Sequence, residues 1–269
     1  MFIIIRRRRL LLFMGIMALA LLCVGGLKVA SNAQLQAWYR EGILVRGIDT
    51  EEKVVALTFD DGPDPQGTPA VLSALAKHDI KATFFVMGKR AKEYPKLLLG
   101  VAAAGHELGN HSYQHNYYNH YDYEFIREDI NRTQSLLNEL TGEAPALLRA
   151  PGGNLTNDVI KAARELELML VNWGSDSRDW ENGKSAESIA AHVLDHVGPG
   201  QIILLHDGCP NSLHTAAALD TIITALTAQG YRFVTVSELL ALATPEPVSS
   251  DARPGVAPAA AGINKADAE

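Results

Sequence analysis

From about residue 50 to residue 243, short apolar runs alternate with longer amphipathic stretches, and this alternation restricts the fold more than any other feature of the chain. The runs near 54–59, 82–86, 106–109, 146–149, 168–172, 201–205 and 231–235 have the length and content of buried strands. The stretches near 68–78, 89–104, 123–140, 156–165, 185–196, 212–228 and 236–243 read as helices. Strands separated by helices favour a parallel sheet with the helices outside.

The polar residues fall at one end of that map. Asp60 and Asp61 follow the first strand, His111 the third, Arg149 closes the fourth, Asp179 lies in the loop after the fifth, and His206 follows the sixth. All stand at carboxyl ends of strands. Side chains from five strands converge on one centre if the sheet curls, whereas an open sheet spreads several of them too far apart. The expected fold is therefore α/β, an irregular (β/α)7 barrel with its active site at the C-terminal rim of the strands.

The chain divides by composition. Arg6 to Arg9 precede the largely apolar Leu10 to Leu27, a length that spans a hydrocarbon core. The arginines are expected on the cytoplasmic side. Residues 1–33 thus read as a basic end with a signal-anchor or signal peptide. Ser31-Asn32-Ala33 offers a cleavage site, and the length of the apolar run favours retention. In either case the remainder is exported. Residues 34–50 read as a lead-in, 51–244 as one domain, and 245–269, rich in Pro, Ala, Gly and Ser, as a disordered tail.

Beyond the first 28 residues the chain carries 19 basic against 31 acidic residues, a net of −12, which argues against a nucleic-acid partner. A neutral or amine-bearing polymer is compatible with that surface. Of two cysteines, Cys23 lies in the apolar segment and Cys209 in the domain, so no disulfide forms within the exported part. Cys209 reads as a small, partly buried thiol.

Taken singly, each polar motif is weak. Asp60-Asp61-Gly62-Pro63 suits a tight turn, and His111 and His115 share a helical face with or without a metal. Together, two imidazoles and one carboxylate make three protein ligands and leave a fourth position for water or substrate, with a second Asp spare as a base.

Five motifs in register make the chain resemble the polysaccharide deacetylases with a NodB homology domain, carbohydrate esterase family 4, over about 52–242. They are Thr58-Phe59-Asp60-Asp61-Gly62, His111-Ser112-Tyr113-Gln114-His115, Arg149-Ala150-Pro151-Gly152-Gly153, Asp176-Ser177-Arg178-Asp179-Trp180 and Leu204-Leu205-His206. The resemblance implies that Asp61, His111 and His115 hold a divalent metal, usually zinc, with cobalt or another divalent ion as the alternative. It implies Asp60 as general base, oriented by Arg149, and His206 as general acid, tuned by Asp179. Trp173 and Leu204 are expected to line an acetyl pocket, and Gly152 to offer a backbone donor to the substrate. His106, His120 and His214 fall outside the matched spacings.

The implied reaction is release of acetate from an N-acetylated amino-sugar polymer of the cell envelope, peptidoglycan foremost. O-acetyl esters of xylan-like glycans, chitooligosaccharides and a small amide are the alternatives, and a catalytically silent glycan-binding surface protein is the reading from another class. One departure bears on substrate. Many members of the family carry an aromatic residue after the proline of the third motif; Gly152 and Gly153 stand here, so a wider groove is expected. Tyr113, Tyr117, Tyr118, Tyr121 and Tyr123 follow the metal histidines and serve either to stack on sugars or to pack a long loop.

Overall fold

The structure, a computed structural model, describes residues 33–243. Its centre is β2 (Val54–Asp60), every residue of which is buried. A strand covered on both faces has no polar side to alternate with, so Val54-Val55-Ala56-Leu57 reads as a continuous apolar run. Parallel to it lie β3 (Thr83–Val86) on one side and β8 (Ile202–His206) on the other. Outward from β3 follow β4 (Glu107–Asn110), β5 (Leu147–Leu148), β6 (Met169–Val171) and β1 (Leu44–Val45), and β7 (Ser175–Asp176) flanks β8. β9 (Arg232–Val234) pairs with the start of β2, along the stretch Val54–Ala56.

All these pairings are parallel. The sheet curls until the segment after β1 meets the segment before β8, where Gly47 and Gln201 form an antiparallel bridge. Only glycine suits that seam: Gly47 has φ 152°, and a Cβ there would stand 2.5 Å from the Gly200 carbonyl oxygen. The result is the curled α/β sheet expected from the sequence, with the ends of β2, β4, β5 and β8 at one rim.

Helices cover the sheet: α2 (Gly67–Lys77), α3 (Gly88–Glu93), α4 (Pro95–Ala103), α5 (Tyr123–Thr141), α6 (Asn157–Glu165), α7 (Ala186–His196), α8 (Ser212–Ala228) and α9 (Val236–Ala241). The main core lies between β2, β3, β8 and helices α2, α4, α7 and α8, centred on Leu57, Phe59, Phe84, Leu205, Leu219 and Ile222. Phe59 and Phe84 stack there with centroids 5.0 Å apart.

Three features differ from the sequence reading. The helix expected over 89–104 is two helices, because Pro95 lacks the N–H a continuous helix requires and Tyr94 leaves helical geometry at φ −123°, ψ 56°. Residues 34–50 are built into the fold: 33–40 form a helix, α1, and β1 pairs with β6. Leu44 is buried there, with Leu35, Trp38 and Ile43 against a second core beneath α5 and α6. β1 and β7, two residues each, add to the seven expected strands. The expected basic end, apolar segment and disordered tail lie outside the described residues, apart from Ala33. Among the described residues no helix is long and apolar enough to cross a membrane.

Candidate active site

Asp60 is the last residue of β2, and the chain turns at once. Asp61 takes a left-handed conformation with φ 72°, which aspartate tolerates better than most side chains. The turn is locked from behind by the segment after β8: the Asp207 N–H donates to the Asp60 carbonyl at 3.1 Å. A Cβ on Gly208 would meet the Asp61 carbonyl oxygen at 2.2 Å. Asp61 is thereby aimed at the loop that leaves β4.

That loop carries His111 and His115, and it is not helical. Ser112 and His115 have φ of 65° and 63°, so the four-residue spacing is set by a tight non-helical turn. Asn110 Oδ1 accepts from Ser112 N–H at 2.9 Å, and Ser112 Oγ accepts from His115 N–H at 2.9 Å. From α5, Asp129 Oδ2 accepts from Tyr113 N–H at 3.0 Å and from the Tyr118 hydroxyl at 2.8 Å. Asn110 and Asp129 were not singled out in the sequence. A lone Asp on an amphipathic helix reads as solvated, and nothing local says that its helix face packs beneath this loop.

His111 Nδ1 lies 2.8 Å from the Arg149 carbonyl oxygen, an acceptor, so Nδ1 carries a proton, and in the neutral ring the Nε2 lone pair is the one turned to the site. His111 Nε2 is 3.5 Å and His115 Nε2 3.4 Å from Asp61 Oδ1. The three donor atoms all lie within 4.8 Å of one another. Asp61 Oδ1 is fully buried and no hydrogen bond reaches it. A buried carboxylate oxygen left without a donor, with an imidazole nitrogen of His111 and another of His115 beside it, is a donor set that fits a divalent cation.

Their charge states are coupled. Burial alone would raise Asp61, but the attraction of His111, His115 and His206 outweighs it and holds the carboxyl well below the usual range. His111 moves up, because Asp60 and Asp61 overcome the penalty of its burial. His115 moves down under burial and the charge of His111.

Arg149 directly follows β5 and is completely buried. A buried guanidinium requires partners on every side. Its Nη1 donates to Asp60 Oδ1 at 2.7 Å and to Thr58 Oγ1 at 2.8 Å, Nε donates to the Val171 carbonyl at 3.2 Å, and the cation lies 4.0 Å from the centre of the Phe85 ring. Asp60 Oδ1 is therefore occupied, leaving Oδ2 as the oxygen toward the ligand trio, 3.6 Å from His111 Nε2.

His206 ends β8. Its Nδ1 lies 2.7 Å from Asp179 Oδ1, while Asp179 Oδ2 accepts from His206 N–H and from Thr215 Oγ1, both at 2.8 Å. Although burial disfavours the charged ring, the Asp179 carboxylate pushes His206 up to about 9. Burial pushes the Cys209 thiol up to about 12, which leaves it an inert neighbour. Asp207, also not singled out, is buried and pushed up to about 7 by that burial. It accepts a hydrogen bond from Thr68 and sits so close to Gly62 that a Cβ there would lie 2.2 Å from its Oδ2.

A cleft of about 320 Å³ opens on this centre, lined by Asp60, Asp61, His111, His115, Gly152, Trp173, Leu204 and His206, with Tyr117, Asp176 and Trp180 completing it. Of the ten residues expected from the sequence, eight line the cleft; Arg149 and Asp179 stand behind Asp60 and His206. The groove is not simply open at Gly152. A Cβ there would stand 2.5 Å from Tyr117 Cε1, so a ring from the histidine loop lies over the glycine. The five tyrosines divide accordingly: Tyr113 and Tyr118 are buried in the loop, Tyr117 and Tyr121 are exposed, and Tyr123, the first residue of α5, is half-buried against the second core. His106 accepts a hydrogen bond from Ala82 N–H, His120 ends a short 3-10 turn, and His214 lies 2.7 Å from the Lys184 carbonyl; none belongs to the ligand trio.

A curled parallel sheet with two imidazoles, a carboxylate and a second acid at its rim defines a metal-dependent hydrolase. Comparison with known proteins agrees. The polysaccharide deacetylase family matches residues 47–171. A peptidoglycan-N-acetylglucosamine deacetylase of Bacillus cereus is 42% identical over 201 residues, 74% of this chain and 93% of that protein. A crystal structure of a peptidoglycan N-acetylglucosamine deacetylase superposes with a TM-score of 0.73 at 37% identity, covering 76% of this chain and 95% of the other. A family 4 acetyl xylan esterase from Clostridium thermocellum, solved with a cobalt ion, superposes with a TM-score of 0.66 at 38% identity over 71% and 91% of the two chains. The chain belongs to the polysaccharide deacetylase family, whose enzymes are metal-dependent deacetylases.

Proposed function

We propose that this protein removes N-acetyl groups from an amino-sugar polymer of the cell envelope, peptidoglycan foremost. The observation that carries the reading is one cleft lined by a three-donor ligand set, the carboxylate of Asp60 and the acid-range imidazole of His206. Asp61, His111 and His115 hold the divalent ion, and their donor set suits zinc, with cobalt as an alternative. When bound, that ion polarises the acetyl carbonyl and makes water a stronger acid.

The chain's own groups do the rest. Asp60, with Oδ1 held by Arg149, accepts the proton of the attacking water on Oδ2. The backbone N–H of Gly152 donates to the developing oxyanion. His206, charged and oriented by Asp179, delivers a proton from Nε2 to the sugar nitrogen as the C–N bond breaks, so acetate and a free amine leave. Trp173 and Leu204 form the apolar side that receives the acetyl methyl. The domain works on the extracytoplasmic side, where that polymer lies, either held by the N-terminal apolar segment or released by cleavage near Ala33.

Acetate release by the purified full-length chain tests the reading, with peptidoglycan, chitooligosaccharides and acetylated xylan as substrates, with zinc or chelator, beside Asp60→Asn and His111→Ala. Release from peptidoglycan that needs the metal and disappears in both variants is expected. The similarity to an acetyl xylan esterase makes the ester the second reading. Release from xylan alone would establish it, and glycan binding without release would leave a silent binding protein.

A further inference from the structure

We propose that Tyr117 is a substrate-binding residue whose ring stacks on the pyranose face of the N-acetylated sugar while the acetamido group enters the cleft. This rests on the function proposed above and adds a residue that determines how the glycan is held.

The loop after β4 dictates where Tyr117 points. Its neighbour Tyr118 is completely buried, with its hydroxyl tied to Asp129 at 2.8 Å. Tyr117 has extended backbone, φ −71° and ψ 109°, so successive side chains leave on opposite sides. With Tyr118 committed to the interior, Tyr117 is turned to the cleft, which it lines while 50% exposed. Its ring meets His115 edge-on, with centroids 5.4 Å apart and planes at 85°, so it stands beside the ligand trio.

The opposite loop is cut to fit that ring. Gly152 has φ 61° and leaves no room for a side chain beneath Tyr117 Cε1, and a Cβ on Gly153 would lie 2.9 Å from Trp173 Cη2. The glycine pair thus forms a floor under two aromatic rings, Tyr117 and Trp173. A half-exposed ring beside a polar centre offers what a pyranose needs, an apolar face for its C–H surface and water around its hydroxyls. A tyrosine also has few rotatable bonds to immobilise on binding. Tyr121, the other exposed tyrosine of the loop, is stacked on Phe125 at 4.0 Å and does not line the cleft.

Binding and turnover test this separately. N-acetylated chitopentaose and peptidoglycan fragments are titrated calorimetrically into the full-length chain in the Asp60→Asn background, with Tyr117, Tyr117→Phe, Tyr117→Trp or Tyr117→Ala. Acetate release is followed in the same series with Asp60 intact. Loss of the ring is expected to weaken glycan binding about tenfold and to appear in KM more than in kcat, with Phe and Trp within about twofold of Tyr. Equal melting temperatures exclude a folding effect. Equal affinity of Tyr117→Ala and the parent overturns the inference, and so does a Phe variant as weak as Ala, because the hydroxyl would then be the contact. Ring-dependent binding without acetate release sustains the inference and sinks the deacetylase reading alone. A parent that binds neither glycan overturns the inference, and the deacetylase reading falls with it only if the protein with Asp60 intact also releases no acetate.

Discussion

His206 Nδ1 faces a carboxylate oxygen at 2.7 Å, so its proton is directed to Asp179 and Nε2 is left for the cleft. Two consequences follow from one contact: the ring cannot turn, and its charged form persists to about 9. The acid form is present below that value and is lost as pH rises through it, so kcat/KM is expected to fall on the alkaline side near 9. Asp179→Asn removes the charge that raises His206 and leaves the burial that lowers it. The alkaline limb then moves down to the ordinary histidine value of about 6.5 or below, and activity at about pH 8 falls roughly thirtyfold from the protonated fraction alone. A pH–rate profile of both enzymes checks this, and an unmoved limb would assign the proton to another group. Arg149 acts at the same remove on Asp60, by holding one oxygen and leaving the other.

The histidine loop is shaped by α5 more than by its own sequence. Asp129 accepts from Tyr113 N–H and from the Tyr118 hydroxyl, pinning the chain just after His111 and again just after His115. Burial raises the Asp129 carboxyl above its usual range, and the hydrogen bonds from these two donors only partly oppose that shift. Asp129→Ala leaves a buried N–H and a buried hydroxyl unpaired, at about 1–3 kcal/mol each. Because such outer partners orient metal ligands, zinc affinity is expected to fall about 10- to 100-fold, read by competition with a chromogenic chelator. Affinity equal to the parent would mean that Asn110 and Ser112 suffice to hold the loop. The candidate ligand set was legible in the sequence, because Asp61, His111 and His115 are chemically conspicuous at strand ends, and the structure brings their donor atoms within 4.8 Å of one another. Asp129 was not, since its role depends on which face of α5 packs beneath the loop, a tertiary fact. Pro95 shows the opposite case: the break between α3 and α4 is written in one residue, and the periodicity on either side masks it. β1 and β7 are too short for any periodicity to register.

At the scale of the whole molecule, the curled sheet gathers Asp61 from the end of β2 and two histidines from beyond β4. An ion held by these residues joins loops about fifty residues apart in sequence, and an unfolded chain offers no comparable site. Metal binding therefore stabilises the fold by linkage, about 2.7 kcal/mol when free metal is a hundred times its dissociation constant. In a domain of this size each kcal/mol shifts the midpoint by about 2–4 °C, so chelation is expected to lower the melting temperature by about 5–10 °C, and added zinc to restore it. Asp61→Asn removes the ligand charge while keeping the shape. Its melting temperature should no longer respond to chelator, whereas Asp60→Asn, which leaves the three ligands in place, should respond like the parent. The same differential scan thus separates the ligand from the base without measuring turnover. A parent whose melting ignores both zinc and chelator would remove the metal from this site, and with it the reason that Asp61 Oδ1 is buried without a hydrogen-bond donor.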